Sequence, residues 1–250
     1  MITQEMVGLL RAEAESNLQQ MIEWRRQIHA HPELAFEERE TARLICGVLD
    51  SLRIPYESGV AETGVVATLR AVDAQRTIGL RADMDGLPLQ EESELPYRSA
   101  IDGAMHGCGH DAHIAILLGV AKLLAGVREE LTTDVVFIFQ PAEELGAGAE
   151  RMAASGRIPP LDLLIGGHVG LGSLQVGTIG VRTGPMMASA DFFRAVFEGC
   201  GGHGAHPEDT VNPIPPCLRW TQAAMELIGL EVASSERAVL SLTHLDAGTN

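Results

Sequence analysis

The chain has 250 residues, of which 46% are hydrophobic, 21% charged and 4% aromatic. This balance provides enough apolar material for a sizeable core and excludes disordered, collagen-like and coiled-coil chains. Lys and Arg number 18 against 34 Asp and Glu, so the net charge of -16 argues against nucleic acid and anionic membrane surfaces as partners.

The termini and the cysteines indicate a compartment. The N-terminal segment mixes acidic residues among its apolar positions, unlike a signal peptide, and the apolar runs 114–121 and 135–139 fall far short of the ~20 residues that cross a bilayer. We therefore expect a cytoplasmic protein. Its four cysteines include no CxxC pair, so each is expected to be a buried or a functional thiol rather than part of a disulfide.

In chain order, the apolar periodicity predicts alternating helices and strands. Helices are expected at 3–30, 37–52, 111–126 and 147–156. Strands are expected at 64–71, 77–82, 134–140 and 161–165. This alternation predicts an α/β layered sheet flanked by helices.

The composition changes further along the chain. A glycine-punctuated stretch at 166–186 is followed by a predicted strand at 190–198, a helix at 212–230 and a strand at 237–245. We interpret residues 187–250 as a second, smaller α+β domain and residues 1–186 as the first domain.

The segment HGCGHDAH at 106–113 is the densest cluster of potential metal ligands. Three histidines and Cys108 lie within eight residues, and the glycines beside the cysteine free the backbone to point several side chains at one spot. Thiolate and imidazole suit zinc, cobalt, nickel and iron. The alternative is a polar loop in which Cys108 is a small hydrophobe.

Carboxylates and a further histidine follow other predicted strands. Glu143 and Glu144 come just after strand 134–140, where one carboxylate can bind a metal while its neighbour serves as a general base; alternatively they start a solvated helix. His168 follows strand 161–165, and Asp83 follows strand 77–82 and could orient a ligand. Either could also be purely structural. Because crevices form at the carboxyl ends of strands, we expect these groups to supply one or two metal ions with Cys, His, Glu and His ligands.

The motifs MHGCGHDAH, QPAEE, GGHV with VGTIGVRTGPMMASAD, and GGHGAHP occur in this order. Together they resemble the aminoacylase/carboxypeptidase family of dinuclear-metal hydrolases, and within it the amidohydrolase branch that includes hippurate hydrolase, N-acetyl-diaminopimelate deacetylase and hydrolases of indole-acetic acid conjugates. The likeness runs from RRQIHAHPELAFEE to LDAGTN. It implies a layered α/β, zinc-peptidase-like catalytic domain, of which residues 1–186 would be the N-terminal portion, and a smaller inserted α+β lid and dimerisation domain, partly covered by residues 187–250.

The resemblance also implies residue roles. It implies four metal ligands, namely Cys108, His110, Glu144 and His168. Glu143 would be the general base and acid for a metal-activated water, and His203 the lid histidine that supports the oxyanion from the neighbouring subunit of a homodimer. The cofactors implied are two divalent ions (zinc, manganese, nickel or cobalt), and the substrate implied is a small N-acyl amino acid whose amide bond is hydrolysed.

Two positions depart from the pattern of the family. The wider family has a metal-binding histidine where this chain has Arg81, and the amidohydrolase branch uses the cysteine instead. After the lid motif the branch commonly has Pro-His, whereas this chain has Pro207-Glu208 preceded by an additional His206. Substrate preference and the lid contact are therefore left open, and His206 can equally be a surface residue.

Other functions fit part of the pattern. Cys108 could be the nucleophile of a thiol amidase, whereas zinc nucleobase deaminases are excluded because PCxxC is absent. In the family the chain returns from the lid to complete the sheet and to supply one more histidine ligand, but this sequence stops at Asn250. We therefore expect a fragment of a longer product, an incompletely recorded chain, or a truncated paralogue that binds metal without turnover.

Overall fold

The computed structural model describes residues 4–170, 174–232 and 238–248. The chain divides into two compact units between residues 179 and 180. The helices of the first unit are α1 (Gln4–Ala30), α2 (Arg39–Ser51), α3 (His110–Gly126) and α4 (Gly148–Ala154), with a short 3-10 turn at Arg128–Glu130. Its strands are β1 (Tyr56–Val60), β2 (Gly64–Leu69), β3 (Thr77–Asp83), β4 (Asp134–Gln140) and β5 (Leu163–Gly166).

The five strands form one mixed sheet in the order β1-β2-β4-β3-β5. β4 is buried along its whole length, as its unbroken apolar run predicts, and it pairs antiparallel with β2 and parallel with β3. β5 continues the parallel half beside β3. The three parallel strands therefore end at the same edge of the sheet.

Alternate residues of β4 face two hydrophobic clusters, which explains why the strand is continuously apolar. Phe137 and its neighbours two residues away pack into the larger cluster with Leu49 from α2 and Leu118 from α3. On the other face, Ile138 packs with Met152 from α4. The α/β prediction is thus confirmed in the first unit, where each predicted helix and strand appears with its ends displaced by only a few residues.

Three predictions differ from the structure. β1 was not expected, because YESGV lacks a clear two-residue alternation of apolar side chains; it forms by pairing with β2. The predicted strand at 190–198 does not form. Of the predicted strand at 237–245, the structure describes residues 238–245, and these form no strand either. Their alternating pattern suits a strand, but a strand also needs a hydrogen-bonded neighbour, and the described residues of 180–250 provide only a single bridge between Cys200 and Val211.

The second unit contains one long helix, α5 (Ile214–Glu231), close to the prediction of 212–230, and a 3-10 turn at Pro207–Asp209. Its boundary at 179/180 is a division by contacts and does not test the predicted lid or dimerisation role of 187–250. Among the described residues, no helix combines the length and apolarity needed to cross a bilayer.

Candidate metal centre

The shared edge of β3, β4 and β5 gathers the predicted side chains of the first unit. Asp83 is the last residue of β3 and pairs with Gln140, the last residue of β4, so Glu143 and Glu144 follow within one turn of chain. His168 lies two residues beyond the end of β5. The predicted side chains therefore follow the ends of neighbouring strands at one edge of the sheet.

A glycine allows α3 to begin beside this edge of the sheet. Gly109 precedes α3 with φ of 88°, a left-handed conformation that L side chains adopt only with strain. A Cβ atom there would also lie 2.4 Å from a methyl carbon of Val169. Both constraints require glycine between Cys108 and His110, and they explain the spacing of the two potential ligands.

Three groups of potential ligands share His110, and one of them is completed by Asp83 and His113. The other two are Cys108, His110 and His168, and His110, Glu143 and Glu144; in each group the ligand atoms lie within 4.8 Å of one another. Cys108 Sγ is 3.2 Å from His168 Nε2, and His110 Nε2 is 3.8 Å from Glu144 Oε1 and 3.7 Å from Glu143 Oε2.

The hydrogen bonding of His110 leaves one nitrogen free. Its ring is fully buried, and Nδ1 donates to the carbonyl oxygen of Asp85 at 2.8 Å. Since a carbonyl only accepts, this bond fixes the tautomer and leaves a lone pair on Nε2. Among the described residues, His110 Nε2 and Glu144 Oε1 are buried without a hydrogen-bond partner.

These unpartnered atoms fit a divalent cation. Bonds of about 2.0–2.2 Å from nitrogen and oxygen to zinc, at a tetrahedral angle, place two ligand atoms roughly 3.4 Å apart. The 3.8 Å between His110 Nε2 and Glu144 Oε1 is close to that spacing and too long for a hydrogen bond. The donor set of thiol, imidazole and carboxylate is also one that zinc and its neighbours accept.

Burial and charge set the protonation states of the site. Burial, reinforced by the nearby Glu144 and Glu143, raises the pKa of the Cys108 thiol to about 12. Burial also raises the pKa of Glu143, partly opposed by His110. Although burial disfavours its charge, the pKa of His110 is raised, because Asp85 and Asp83 stabilise the protonated ring. A negative pocket of this kind favours a bound cation.

Asp83 is placed beside the ligands, and its direct partner is His113, which the sequence placed in the cluster at 106–113 without assigning it a role. Its Oδ1 accepts from His113 Nδ1 at 2.6 Å, and Oδ2 accepts from Arg81 at 2.7 Å. Burial opposes ionisation, yet the His113 hydrogen bond and nearby positive charges lower the pKa of Asp83 to about 2. His113 Nε2 in turn accepts the Val169 N–H at 2.9 Å, next to His168.

Sequence reasoning also missed Asp85, although the signal was present in RADMD, where two acids stand two residues apart at the end of a strand.

His203, predicted to act from the lid, lies in the second unit, where it is exposed and its ring is 5.6 Å from that of His206. Arg81 donates to Gln140 as well as to Asp83. The structure thus brings together Asp83, Cys108, His110, Glu143, Glu144 and His168.

Comparison with known proteins gives a consistent picture. Two curated relatives are each 40% identical: N-acetylcysteine deacetylase of Bacillus subtilis (strain 168) over 231 residues, and N-acyl-L-amino acid amidohydrolase of Geobacillus stearothermophilus over 230. Each alignment covers 92% of this chain, and the chain spans about three fifths (60% and 62%) of these relatives.

A solved Bacillus subtilis structure, described as a dinuclear metal binding peptidase from the M20 family, is 42% identical with a TM-score of 0.66. That match covers 68% of this chain and 48% of the solved one. The family model for peptidase family M20/M25/M40 matches residues 79–245, which include every residue gathered at the strand edge. With the family model matching most of its length, this chain belongs to peptidase family M20/M25/M40.

Proposed function

We propose that this chain is a metal-dependent amidohydrolase that cleaves the amide bond of N-acyl amino acids. The observation that carries the proposal is the buried, unpartnered Nε2 of His110, a residue that belongs both to a group with a thiol and a second histidine and to a group with two carboxylates. The names of the two curated relatives, a deacetylase and an N-acyl amino acid amidohydrolase, supply the substrate class.

Cys108, His110, Glu144 and His168 would hold two divalent cations. Bound there, the cations would act as Lewis acids that polarise an amide carbonyl and lower the pKa of water. The different environments of the two glutamates support their assignment. Oε1 of Glu144 is buried and unpartnered near His110, whereas Glu143 is the more exposed side chain, at 41% against 27%. Glu144 therefore suits a ligand, and Glu143 suits a base that reaches substrate and water.

Glu143 would move the proton. It takes a proton from water as the water oxygen adds to the amide carbon, and it returns that proton to the nitrogen as the C–N bond breaks. The products are a carboxylate and a free amino acid. The raised pKa of Glu143 brings its acidity closer to neutrality, where one group can perform both transfers.

The thiol amidase alternative is disfavoured by the surroundings of Cys108. A nucleophilic cysteine needs a lowered pKa, usually provided by positive neighbours. Cys108 instead has a pKa of about 12, raised by burial and by Glu144 and Glu143. At neutral pH its free thiol would be almost fully protonated, whereas a bound cation would convert it into a thiolate ligand.

The remaining roles extend the same proposal to the rest of the chain. The division at 179/180 supports a separate lid and dimerisation domain near 187–250, and large exposed apolar side chains such as Phe192 and Val239 give that unit material for a partner surface. Exposed His203 would support the oxyanion from there.

The experiment is a hydrolysis screen of N-acetyl, benzoyl and indole-acetyl amino acids with zinc, manganese, nickel or cobalt. We expect turnover that a chelator abolishes, and a Glu143→Gln variant without turnover but with nearly unchanged metal content. Glu150→Gln, an exposed acid in the first turn of α4, is the matched control and should behave as wild type. Turnover that survives the chelator but not alkylation would favour the thiol enzyme, and metal binding without turnover would favour the non-catalytic reading.

A further inference from the structure

The loop 200–211 of the second unit carries a group of potential metal ligands that the proposed reaction does not use. His206, Glu208 and Asp209 each offer one ligand atom, and these three atoms lie within 4.8 Å of one another. Nδ1 of His206 is 3.4 Å from Oε1 of Glu208. Among the described residues, this is the one such group outside the first unit. All three side chains are exposed, so a cation would reach them directly from solvent.

Backbone hydrogen bonds hold this loop in shape. Cys200 and Val211 each donate their N–H to the carbonyl oxygen of the other at 3.0 Å, which closes the loop at its base. Within it, the N–H of His206 donates to the carbonyl oxygen of His203 at 2.9 Å, and the N–H of Asp209 donates to that of His206 at 3.2 Å. Because the ligands stand on a backbone that is already turned, a cation would have to order only side chains.

The amino-acid sequence favours this turned backbone. A Cβ atom at Gly199 would lie 2.2 Å from the carbonyl oxygen of Val211, so the close approach at the base of the loop requires glycine. Pro207, between His206 and Glu208, has a fixed φ and begins the 3-10 turn Pro207–Asp209. The spacing of the three ligands is therefore set locally.

The charges of the group lack a cationic partner. Among the residues that the structure describes, no Lys or Arg lies within ion-pair distance of Glu208 or Asp209, and the one ion-pair partner of Glu208 is His206. An imidazole with two carboxylates is a set that zinc and similar transition metals accept, with waters completing the coordination. The imidazole also separates this group from an ordinary acidic surface, because Mg²⁺ prefers oxygen ligands.

We propose that His206, Glu208 and Asp209 form a cation site of the second unit, in addition to the metal centre of the first, for zinc or a similar divalent transition metal. His203 is left out of this ligand set. Its Nδ1 accepts the N–H of Ala205 at 3.1 Å, which places the ring proton of the neutral imidazole on Nε2 and leaves no free lone pair. The proposal does not rest on the proposed function, since it uses none of the residues assigned to the metal centre or to proton transfer.

A zinc titration followed by ¹H–¹⁵N correlation spectra tests the site residue by residue. Zinc is added to the metal-free 250-residue chain up to several equivalents, and the amide resonances of 203–210 and the ring resonances of His206 are recorded. We expect saturable shifts of these resonances in wild type. In His206→Ala the same amide shifts should need at least about tenfold more zinc.

Two further variants sharpen the comparison. Glu208→Gln keeps the shape of the side chain but removes its charge, and it should also weaken zinc binding at 203–210. His244→Ala replaces an exposed histidine of the same unit outside the group, and as the matched control it should titrate as wild type.

The outcomes decide the proposal whether or not the metal centre of the first unit fills. No saturable shift at 203–210 in wild type, or the same zinc affinity there in His206→Ala and Glu208→Gln, would overturn it. An equal response to Mg²⁺ at the same concentration would also overturn it, since the imidazole would then contribute nothing. Shifts at 203–210 without any near Cys108 and His110 would support this site and contradict the proposed function.

Discussion

Gly148 offers a direct way to displace the turn that carries Glu143 and Glu144 without replacing a candidate ligand. It is the first residue of α4 and packs against the turn, where an added Cβ atom would lie 1.6 Å from the carbonyl oxygen of Pro141. Cβ atoms essentially never approach other atoms closer than 3.0 Å. In Gly148→Ala the two segments must therefore separate by about 1.4 Å, the difference between these two distances.

The size of the effect follows from what must move. The clash is with backbone, so no side-chain rotation relieves it, and α4 also carries Met152 into the smaller hydrophobic cluster. Overpacking typically costs about 1–3 kcal/mol, and we expect the upper end here. Displacements near 1 Å in a catalytic site can cost about 100-fold in rate. We therefore expect a Co²⁺ Kd at least tenfold weaker.

Urea unfolding and Co²⁺ titration measure the two effects, with Gly47→Ala as the control. Gly47 lies inside α2, and no atom lies within 4 Å of an added Cβ. Gly47→Ala should therefore raise the free energy of unfolding by about 0.5–1 kcal/mol, because alanine favours the helix more than glycine does. A Gly148→Ala variant with the urea midpoint and the Co²⁺ Kd of wild type would show that the turn is not fixed as described, and would refute this reasoning.

Two further predictions concern stability. Phe137→Ala should lower the free energy of unfolding in urea by about 3–5 kcal/mol because Phe137 is fully buried in β4. Phe192 is 88% exposed, so Phe192→Ala should lower it by under about 0.5 kcal/mol. Equal losses in the two variants would contradict the assigned core. His29 bonds Asp111 at 2.8 Å, and this bond raises the pKa of His29 above its usual 6.5 although burial opposes it. The bond therefore stabilises fully below pH 6.5 and less as pH rises through the folded-state pKa, so His29→Gln should lose more unfolding free energy at pH 6 than at pH 9. The same loss at both pH values would contradict that assignment.

Much of the first unit could be predicted because local pattern and burial agree there. The unbroken apolar run of β4 fits a strand covered on both faces, and the proline after His31 ends α1 as expected. The order of the strands and the antiparallel pairing of β2 could not be predicted, since they depend on partners distant in sequence. The predicted strands at 190–198 and 237–245 show the same limit, because a strand-like pattern does not specify a neighbour.

The ligand types at the site were readable from the sequence, but their supports were not. Cys108 and His110 stand close together in a recognisable motif, and the structure brings Glu144 and His168 to them. Asp85, Glu38 and His113 instead contribute hydrogen bonds to the backbone N–H groups of Glu143, Ala142 and Val169. Such contacts follow no fixed spacing in the sequence, and only the paired acids of RADMD gave a signal, for Asp85.

The metal content of the Cys108→Ala variant tests the central claim most directly. Wild type and variant would be dialysed to equilibrium against the same zinc concentration and measured by elemental analysis, with Cys46→Ala as a control thiol outside the site. We expect bound zinc in wild type and in Cys46→Ala, and a clearly lower zinc-to-protein ratio in Cys108→Ala. The same ratio in all three proteins would contradict the ligand role of Cys108 and the metal centre built around it.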